Sequence, residues 1–579
     1  MKRTHCLTLL FYLCLPSLLL YPSGTGVRAQ TCTPLAQATL EGGNVSALIT
    51  SGGDLWGDGS EGRYRIRARQ ADGTLREFSS FFAGALWLAS TAPDGTLNVA
   101  APTYGRGIGR TDYGPGPLLN GVTTTDNCAN WDLVFPMTRE EVEFVRTFPG
   151  NLLLEESDLS EALRGWPARG NPHFERIHGF ALPDRAEGLA PFFDQDGDGN
   201  YEPLDRDYPL IQGDRALFTV FNDGVLKTDS NSPGMMGAEV HLLAYAYDRP
   251  GGGPLNATTV YEYTVHNYGD TDWRDCYVSL WNDADLGCFT NDRFGTSPAR
   301  DLAYVYNDTP DEGETCIAGI PTSGNLRPVT MLQLLDATDE PGTDADESRL
   351  HSIGGYYSSA VGQLGLVTEP ANKVEIFDVM RGRWRDGTPI RRGGIGYGGT
   401  GDTTRFIFDG GATPDGTPWD NCTDQAGVMQ DIRLVPSVGP YTVARGERRT
   451  VRFAVSTLIG VPYVGTCPDT NVIFFAADEV RGADSTALAT TVRTVRSAAK
   501  IGLEVYPNPV GNDLLTVTLP APRRILSAKL YDVHGRMVRS AVGGEHSTTT
   551  LPLHQLPAAF YTLRVATDAG TATRRIIRR

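Results

Sequence analysis

The residues from Asp194 to Asp205, DQDGDGNYEPLD, place oxygen-bearing side chains at the spacing of a calcium-binding loop. Carboxylates stand at loop positions one, three, five, nine and twelve, and Gly199 at position six permits a sharp turn because it lacks Cβ. Calcium takes six to eight oxygen ligands, and the residue after the glycine offers its backbone carbonyl. The spacing therefore predicts a calcium site formed by Asp194, Asp196, Asp198, Asn200, Glu202 and Asp205.

Two features distinguish this loop from a paired EF-hand sensor. Asp205 stands where an EF-hand carries a bidentate glutamate, and Pro203 opposes a regular helix at the end of the loop. We therefore expect a single calcium loop with a structural role in a β-rich setting. The alternative is an acidic, solvated turn without metal.

A second acidic group follows the predicted strand Tyr277–Trp281. Asp283 and Asp285 are one residue apart, and Asn291 and Asp292 come shortly afterwards. Oxygen ligands at a strand end favour a second cation site, and a polar loop without metal is an equal alternative.

No motif in the sequence names a reaction, and we nominate no catalytic residue. HExxH, GxSxG and CxxC are absent, so the common signatures of metalloproteases, serine hydrolases and thiolate zinc sites are missing. A secreted hydrolase, either a glycosidase or a protease, stays an alternative because two carboxylates need only meet in space. A carbohydrate-binding protein is a further alternative, with Trp87, Trp281 and Trp384 as candidates.

Composition indicates a mostly β protein of several domains. The 579 residues include 66 glycines and 37 prolines, which imply many turns, and 40% hydrophobic residues, which support packed cores. The net charge of −18 is uneven, because residues 501–579 hold ten Lys or Arg against five Asp or Glu. The acidic remainder disfavours nucleic-acid binding and suits cation binding.

The N-terminus predicts export. Met1-Lys2-Arg3, the apolar run Leu7–Leu20 and the small residues of Val27-Arg28-Ala29 form a signal-peptide pattern with cleavage before Gln30. No later run is long enough for a transmembrane helix. Seven cysteines follow the signal, so disulfides are expected, and the odd count leaves one free thiol or one intermolecular bridge. We predict a bond between Cys32 and Cys128, which bracket the N-terminal β region.

Periodicity predicts the elements. FSSFFAGALWL, residues 78–88, is a strand pair or one strand with a bulge at Gly84, and the capping box Thr138–Glu141 begins a short helix. A second helix is predicted over Ser157–Arg164 and a long one over Phe474–Lys500. The glycine-rich residues 372–420 are predicted to be irregular and exposed. Strands dominate residues 216–267 and 431–458, and the C-terminus alternates as a small seven-stranded sandwich.

The C-terminal residues carry a specific resemblance. YPNP at 506–509, LYDVHGRMV at 530–538, FYTLRV at 560–565 and the basic end are similar to the type A C-terminal sorting domain of the type IX (Por) secretion system. The family usually has glycine where Ala559 or Phe560 stands. The resemblance implies an Ig-like β-sandwich and two-step export, first by the general secretory machinery and then by the type IX outer-membrane translocon.

The body resembles uncharacterised large secreted proteins that carry this tail. The shared segments are FFAGALWL, DQDGDGNYEPLDRDYPLIQGD, NDADLG and SVGPYTVARGE, and the likeness extends over about two thirds of the chain. Asp207 and Asp214 lie in the second segment and are expected to be structural. This resemblance implies architecture and export, without an activity.

Together these patterns predict a multi-domain β-sandwich body with a few short helices and a small C-terminal Ig-like β-sandwich. The divisions are a signal peptide at 1–29, an N-terminal β region at 30–135, a helical and loop connector with the calcium-type loop at 136–215, a main β-sandwich body at 216–470, a helix and linker at 471–502, and the sorting domain at 503–579. We expect a secreted or outer-surface protein with a calcium-stabilised, non-enzymatic body of structural or adhesive role. Glycans on the cell surface, on a host or in the environment are its candidate partners.

Overall fold

The computed structural model describes residues 32–578 except for short internal segments. These segments are 106–108, 120, 150–151, 186–187, 233, 249–252, 317–319, 338–348, 359–364, 423–430, 496–502, 509, 511–513, 521–523, 532–536, 543–545, 558 and 568–569. The predicted signal peptide at 1–29 lies outside the described residues.

The first half of the chain contains strands that flank four short helices. In chain order these are β1 Gln37–Gly42, β2 Val45–Thr50, β3 Asp54–Leu55, β4 Tyr64–Arg69, β5 Leu75–Thr91, β6 Leu97–Ala100, β7 Gly114–Pro115, α1 Thr125–Asn130, β8 Phe135–Thr138, α2 Arg139–Thr147, α3 Glu161–Arg164, α4 Phe174–His178, β9 Phe192–Phe193, β10 Tyr208–Pro209, β11 Arg215–Asn222, β12 Ala238–Ala246, β13 Thr258–Asn267 and β14 Trp273–Ala284.

The second half continues with further strands, two helices and the strands of the tail. These are β15 Asp292–Ser297, β16 Leu302–Asn307, β17 Val329–Asp336, β18 Leu350–Tyr357, α5 Lys373–Met380, β19 Ile390–Arg391, β20 Thr403–Thr404, β21 Ile432–Val443, β22 Arg448–Leu458, β23 Tyr463–Val464, β24 Cys467–Pro468, α6 Thr470–Val495, β25 Glu504–Tyr506, β26 Leu514–Thr518, β27 Ile525–Tyr531, β28 Met537–Val542, β29 Thr548–Pro552, β30 Ala559–Thr567 and β31 Gly570–Arg578.

Two nine-stranded antiparallel sheets build the body. Sheet A has the order β1-β2-β3-β5-β14-β21-β18, with β4 and β6 on additional edges of its strands. Sheet B has the order β15-β16-β17-β22-β13-β12-β11-β7, with β8 also paired to β11. The predicted regions 30–135 and 216–470 thus share both sheets. The fold is mostly β, as the sequence predicts.

The main core lies between the two sheets and is joined by buried aromatic side chains. The Trp56 indole of the N-terminal region donates a 2.7 Å hydrogen bond to the Tyr261 hydroxyl on β13. Val240, Leu242 and Ala244 of β12 enter this core, whereas the alternate residues Leu243 and Tyr245 enter a second cluster. Because both faces of sheet B are covered, every residue of β12 is buried and the strand is not amphipathic.

The second cluster covers the outer face of sheet B with the connector. Val142 and Val145 of α2, Trp166 and Tyr201 pack there against Phe218 of β11. Outside sheet A, Phe377 and Met380 of α5 pack on residues of β5 and β14. Among the described residues, no helix is both long and apolar enough to span a membrane.

The sequence predicts β5 only in part. The segment FSSFFAGALWL belongs to one 17-residue strand and is not a strand pair. The bulge lies between Phe81 and Ala83 and not at Gly84. These two residues pair with Ala284 and Asp283, which are consecutive on β14. Gly84 has a different role: a Cβ there would lie 2.5 Å from ring carbons of Trp56.

Two other predictions need correction. The helix predicted over Ser157–Arg164 is divided, because Ser160 caps α3 by accepting a hydrogen bond from the Leu163 N–H, and a 3-10 turn Glu156–Asp158 precedes it. Residues 372–420 are irregular but not exposed. They contain α5, and Trp384, Ile407 and Trp419 are almost fully buried in the main core.

The cysteines follow the prediction. Cys32 pairs with Cys128, with Cα atoms 6.4 Å apart, and further pairs join Cys288 to Cys316 and Cys422 to Cys467. Cys276 is the thiol left over. Its burial raises its pKa to about 12, so it stays protonated and unreactive.

The tail has a core of its own. The seven strands β25–β31 form a three-stranded and a four-stranded sheet. Leu515, Leu530, Leu551 and Leu563 lie between these sheets and are fully buried. The tail is therefore the small seven-stranded sandwich that the sequence predicts.

The predicted capping box at the start of α2 is confirmed and supports a stability prediction. The Thr138 hydroxyl oxygen accepts a hydrogen bond from the Glu141 N–H, and the Glu141 carboxylate accepts one from the Thr138 N–H. We expect Thr138→Ala to lower the free energy of unfolding by about 1 kcal/mol, because the first turn loses a cap. Thr138→Ser keeps the hydroxyl and is the matched control. Chemical denaturation measures both, and equal losses would contradict the capping role.

Candidate cation-binding sites

The predicted calcium loop lies in a short hairpin. Strands β9 and β10 pair antiparallel, with Phe193 opposite Tyr208, and the two rings stack with centroids 4.8 Å apart. The loop also packs on the connector, because the buried Tyr201 donates a 2.9 Å hydrogen bond to the Leu163 carbonyl. The ends of the loop are therefore fixed by its own strands and by the body.

The first three predicted ligands converge. Oxygens of Asp194, Asp196 and Asp198 all lie within 4.8 Å of one another. Backbone amides hold these side chains: Asp194 accepts hydrogen bonds from the N–H groups of Gly197 and Gly199 at 2.6 and 2.8 Å. Both glycines have φ above +80°, a conformation that side chains disfavour.

The other predicted ligands follow on the same loop. Asn200 donates backbone and side-chain hydrogen bonds to Asp198, which lower the pKa of that carboxylate. Desolvation and the negative charges of Asp198 and Asp205 raise the pKa of Glu202. Asp205 ends a 3-10 turn Pro203–Asp205, so no regular helix follows the loop, as Pro203 predicts. The loop therefore concentrates negative charge in a small volume.

Asp207 braces the loop from inside. It is 2% exposed, and its two oxygens accept 2.8 Å hydrogen bonds from the N–H groups of Gln195 and Glu202. Burial raises its pKa to about 6. Asp214 accepts a hydrogen bond from the Asp248 N–H and pairs with Arg139. Both aspartates thus have the structural roles that were expected of them.

The second acidic group differs from the predicted one. Oxygens of Asp283 and Asp285 lie within 4.8 Å of each other and of an Asp431 oxygen. Asp431 directly precedes β21, which pairs with β14 and sets Arg433 opposite Asp283. Local spacing could not indicate Asp431, because only the pairing of two distant strands brings it to this place.

Asn291 and Asp292 lie outside this group of three carboxylates. Asn291 ends a 3-10 turn, and Asp292 begins β15, where one of its oxygens accepts a 3.0 Å hydrogen bond from the Leu286 N–H. Burial, with the charges of Asp285 and Glu312, raises the pKa of Asp292. Asp292 therefore lies near the group without joining it, and its raised pKa favours the neutral carboxyl.

The tryptophans proposed as a sugar platform are all internal. Trp87 and Trp281 are fully buried and stack with centroids 5.8 Å apart, and Trp384 is 1% exposed. A sugar-binding platform needs accessible ring faces, so the structure contradicts this assignment. The other five tryptophans of the chain are also buried, each 3% exposed or less.

Comparison with known proteins identifies the tail. Residues 504–579 match the family described as the secretion system C-terminal sorting domain. This match shows that the chain is exported by the type IX system to the outer surface or the extracellular space. No curated protein matches the sequence.

Two solved structures show weak likeness. A polysaccharide lyase shares 9% identity with a TM-score of 0.17, and the likeness covers 70% of this chain and 42% of that chain. The BSP domain of a biofilm-associated protein shares 8% identity with a TM-score of 0.14, over 96% of this chain and 84% of that one. At these values neither likeness supports an argument about function.

Proposed function

We propose that the exported body is a calcium-stabilised protein of structural or adhesive role and not an enzyme. The observation that carries the calcium assignment is the convergence of Asp194, Asp196 and Asp198 within 4.8 Å in a hairpin loop. Asn200, Glu202 and Asp205 complete the oxygen set. Like charges held this close repel, and a doubly charged cation offsets the repulsion.

Calcium in this loop would order the connector against sheet B. Tyr201 joins the loop to the α3 region, and Asp207 ties its two ends together. The loop itself is mostly exposed, so its shape depends on the hydrogen bonds within it and on the ion. Magnesium fits less well, because it requires a small octahedron and retains its water.

The non-enzymatic role is supported by the surface. A depression of about 630 Å³ beside Asn44 and Asn256 has Asp248 as the one titratable residue among the described residues of its lining. A glycosidase needs two carboxylates that face each other across the substrate. A structural or adhesive protein needs no such pair, and glycans of a cell surface or the environment stay its candidate partners.

One observation favours the hydrolase alternative. Asp283, Asp285 and Asp431 bring carboxylate oxygens within 4.8 Å, close to the separation of roughly 5 Å found in retaining glycosidases. Burial also raises the pKa of Asp283 to about 6, a property of general acids. If this group is an active site, Asp285 is its most exposed carboxylate and the one that a substrate could reach.

The two functions are separated by a product assay. We expect the purified full chain to release no products from mixed polysaccharides or from casein, because the depression beside Asn44 lacks a facing pair of carboxylates among its described residues. Sugar chromatography and peptide mass spectrometry measure the products. Products that appear with the wild type and disappear with Asp285→Asn would overturn the proposal in favour of a hydrolase.

A further inference from the structure

We propose that Asp283, Asp285 and Asp431 form a second site for a hard divalent cation, which joins the end of β14 to the start of β21. The site differs from the predicted one in its third ligand and does not depend on the calcium loop. Its oxygens come from two neighbouring strands of sheet A and are brought together by strand pairing.

Charge is the first argument. Among the described residues, three carboxylates share this place with one guanidinium, that of Arg433, which contacts Asp283 at 3.0 Å and also Asp431. Asp283 is 2% exposed and Asp431 8% exposed, so water screens them poorly. With all three carboxylates ionised, the group has two more negative than positive charges, and buried charges of this kind are costly. A divalent cation neutralises that charge.

An unsatisfied oxygen is the second and independent argument. Asp283 Oδ2 accepts hydrogen bonds from the Tyr104 hydroxyl at 2.7 Å and from Arg433. Asp283 Oδ1 is buried and has no hydrogen-bond partner among the residues that the structure describes. Buried polar atoms in proteins are almost always satisfied, so an atom of this kind beside two other carboxylates indicates a ligand.

The chemistry of the donors selects the class of cation. Carboxylate oxygens suit calcium, magnesium and manganese, whereas softer metals prefer nitrogen and sulfur ligands. Arg433 and Tyr104 occupy one side of Asp283, which leaves Oδ1 and the more exposed Asp285 for the ion. Calcium tolerates such an irregular ligand set best.

Terbium luminescence offers a specific test, because terbium replaces calcium and emits when a nearby tryptophan is excited. The Trp281 ring lies 5.2 Å from the Tyr104 ring, whose hydroxyl binds Asp283. The full chain carrying Asp196→Ala and Asp198→Ala removes the calcium loop. In that background we expect sensitised terbium emission that excess calcium displaces. Adding Asp285→Asn should abolish the emission.

Asp270→Asn is the matched control, because Asp270 is an exposed acid just before the same strand β14. It should leave the emission unchanged. Near-ultraviolet circular dichroism verifies that each variant is folded. Equilibrium dialysis measures calcium binding without altering the proposed site. The chain with Asp196→Ala and Asp198→Ala should still bind about one calcium ion. Absence of calcium binding, or emission that survives Asp285→Asn, would overturn the proposal.

Discussion

Deletion of residues 503–579 is expected to leave a folded body that is trapped in the periplasm. The tail contains its own core, with Leu530 and Leu563 fully buried among tail residues. Among the described residues, its seven strands pair only with one another. It also has the opposite charge balance from the body, with ten basic and five acidic residues over 501–579. Its removal therefore exposes little of the core of the body.

Export should be lost because the deletion removes the sorting domain at 504–579, which directs the chain to the type IX system. Cell fractionation with an antibody against the body measures the effect. The expected result is transfer of essentially the whole protein from the surface and medium to the periplasm, with an unchanged melting temperature. Surface protein at normal levels after deletion would disprove this role.

Two point variants test whether export requires a folded tail or only the presence of the tail sequence. Leu530 is fully buried on β27, whereas Leu526 on the same strand is 52% exposed. We expect Leu530→Asp to block export, because a carboxylate in the tail core disrupts the sandwich. Leu526→Asp should be exported, because it leaves the core intact. Equal export of both variants would show that the fold of the tail is not what the translocon requires.

The sequence predicts local features of this protein better than long-range ones. The α2 capping box and the strands predicted over residues 216–267 depend on residues close in the chain, and both occur where they are predicted. The predicted helix over Ser157–Arg164 is interrupted for an equally local reason, since Ser160 competes as a cap.

Features that depend on strand pairing are beyond a single sequence. Asp431 joins Asp283 only because β21 lies beside β14, and no local motif marks it. Trp384 and Trp419 lie in a glycine-rich segment that looks exposed, yet both complete the core between the sheets. The calcium loop is the opposite case: its proposed ligands lie within one hairpin, and three of them, Asp194, Asp196 and Asp198, converge as their spacing predicts.

Calcium is expected to raise the free energy of unfolding of the body through the loop at Asp194–Asp205. Binding to the folded state alone stabilises it by about 2.7 kcal/mol when calcium is at one hundred times its dissociation constant. Thermal melts with calcium and with chelator measure this gain. In Asp198→Ala the gain should largely disappear, because the ion loses a carboxylate and the repulsion that it relieves is smaller.

The control must distinguish the loss of calcium binding in Asp198→Ala from the loss of the turn hydrogen bond that Asp198 accepts. Asp198 accepts a hydrogen bond from the N–H two residues later, and so does Asp72, which lies in an exposed turn and belongs to neither acidic group found among the described residues. In chelator, each of Asp72→Ala and Asp198→Ala should therefore cost a turn hydrogen bond, and Asp198→Ala also loses the bond from the Asn200 side chain. In calcium, the wild type and Asp72→Ala should both gain stability, whereas Asp198→Ala should lose most of the gain in free energy of unfolding that the ion provides. If the two variants respond to calcium equally, Asp194–Asp205 is an acidic turn, and the stability of the body does not depend on this ion.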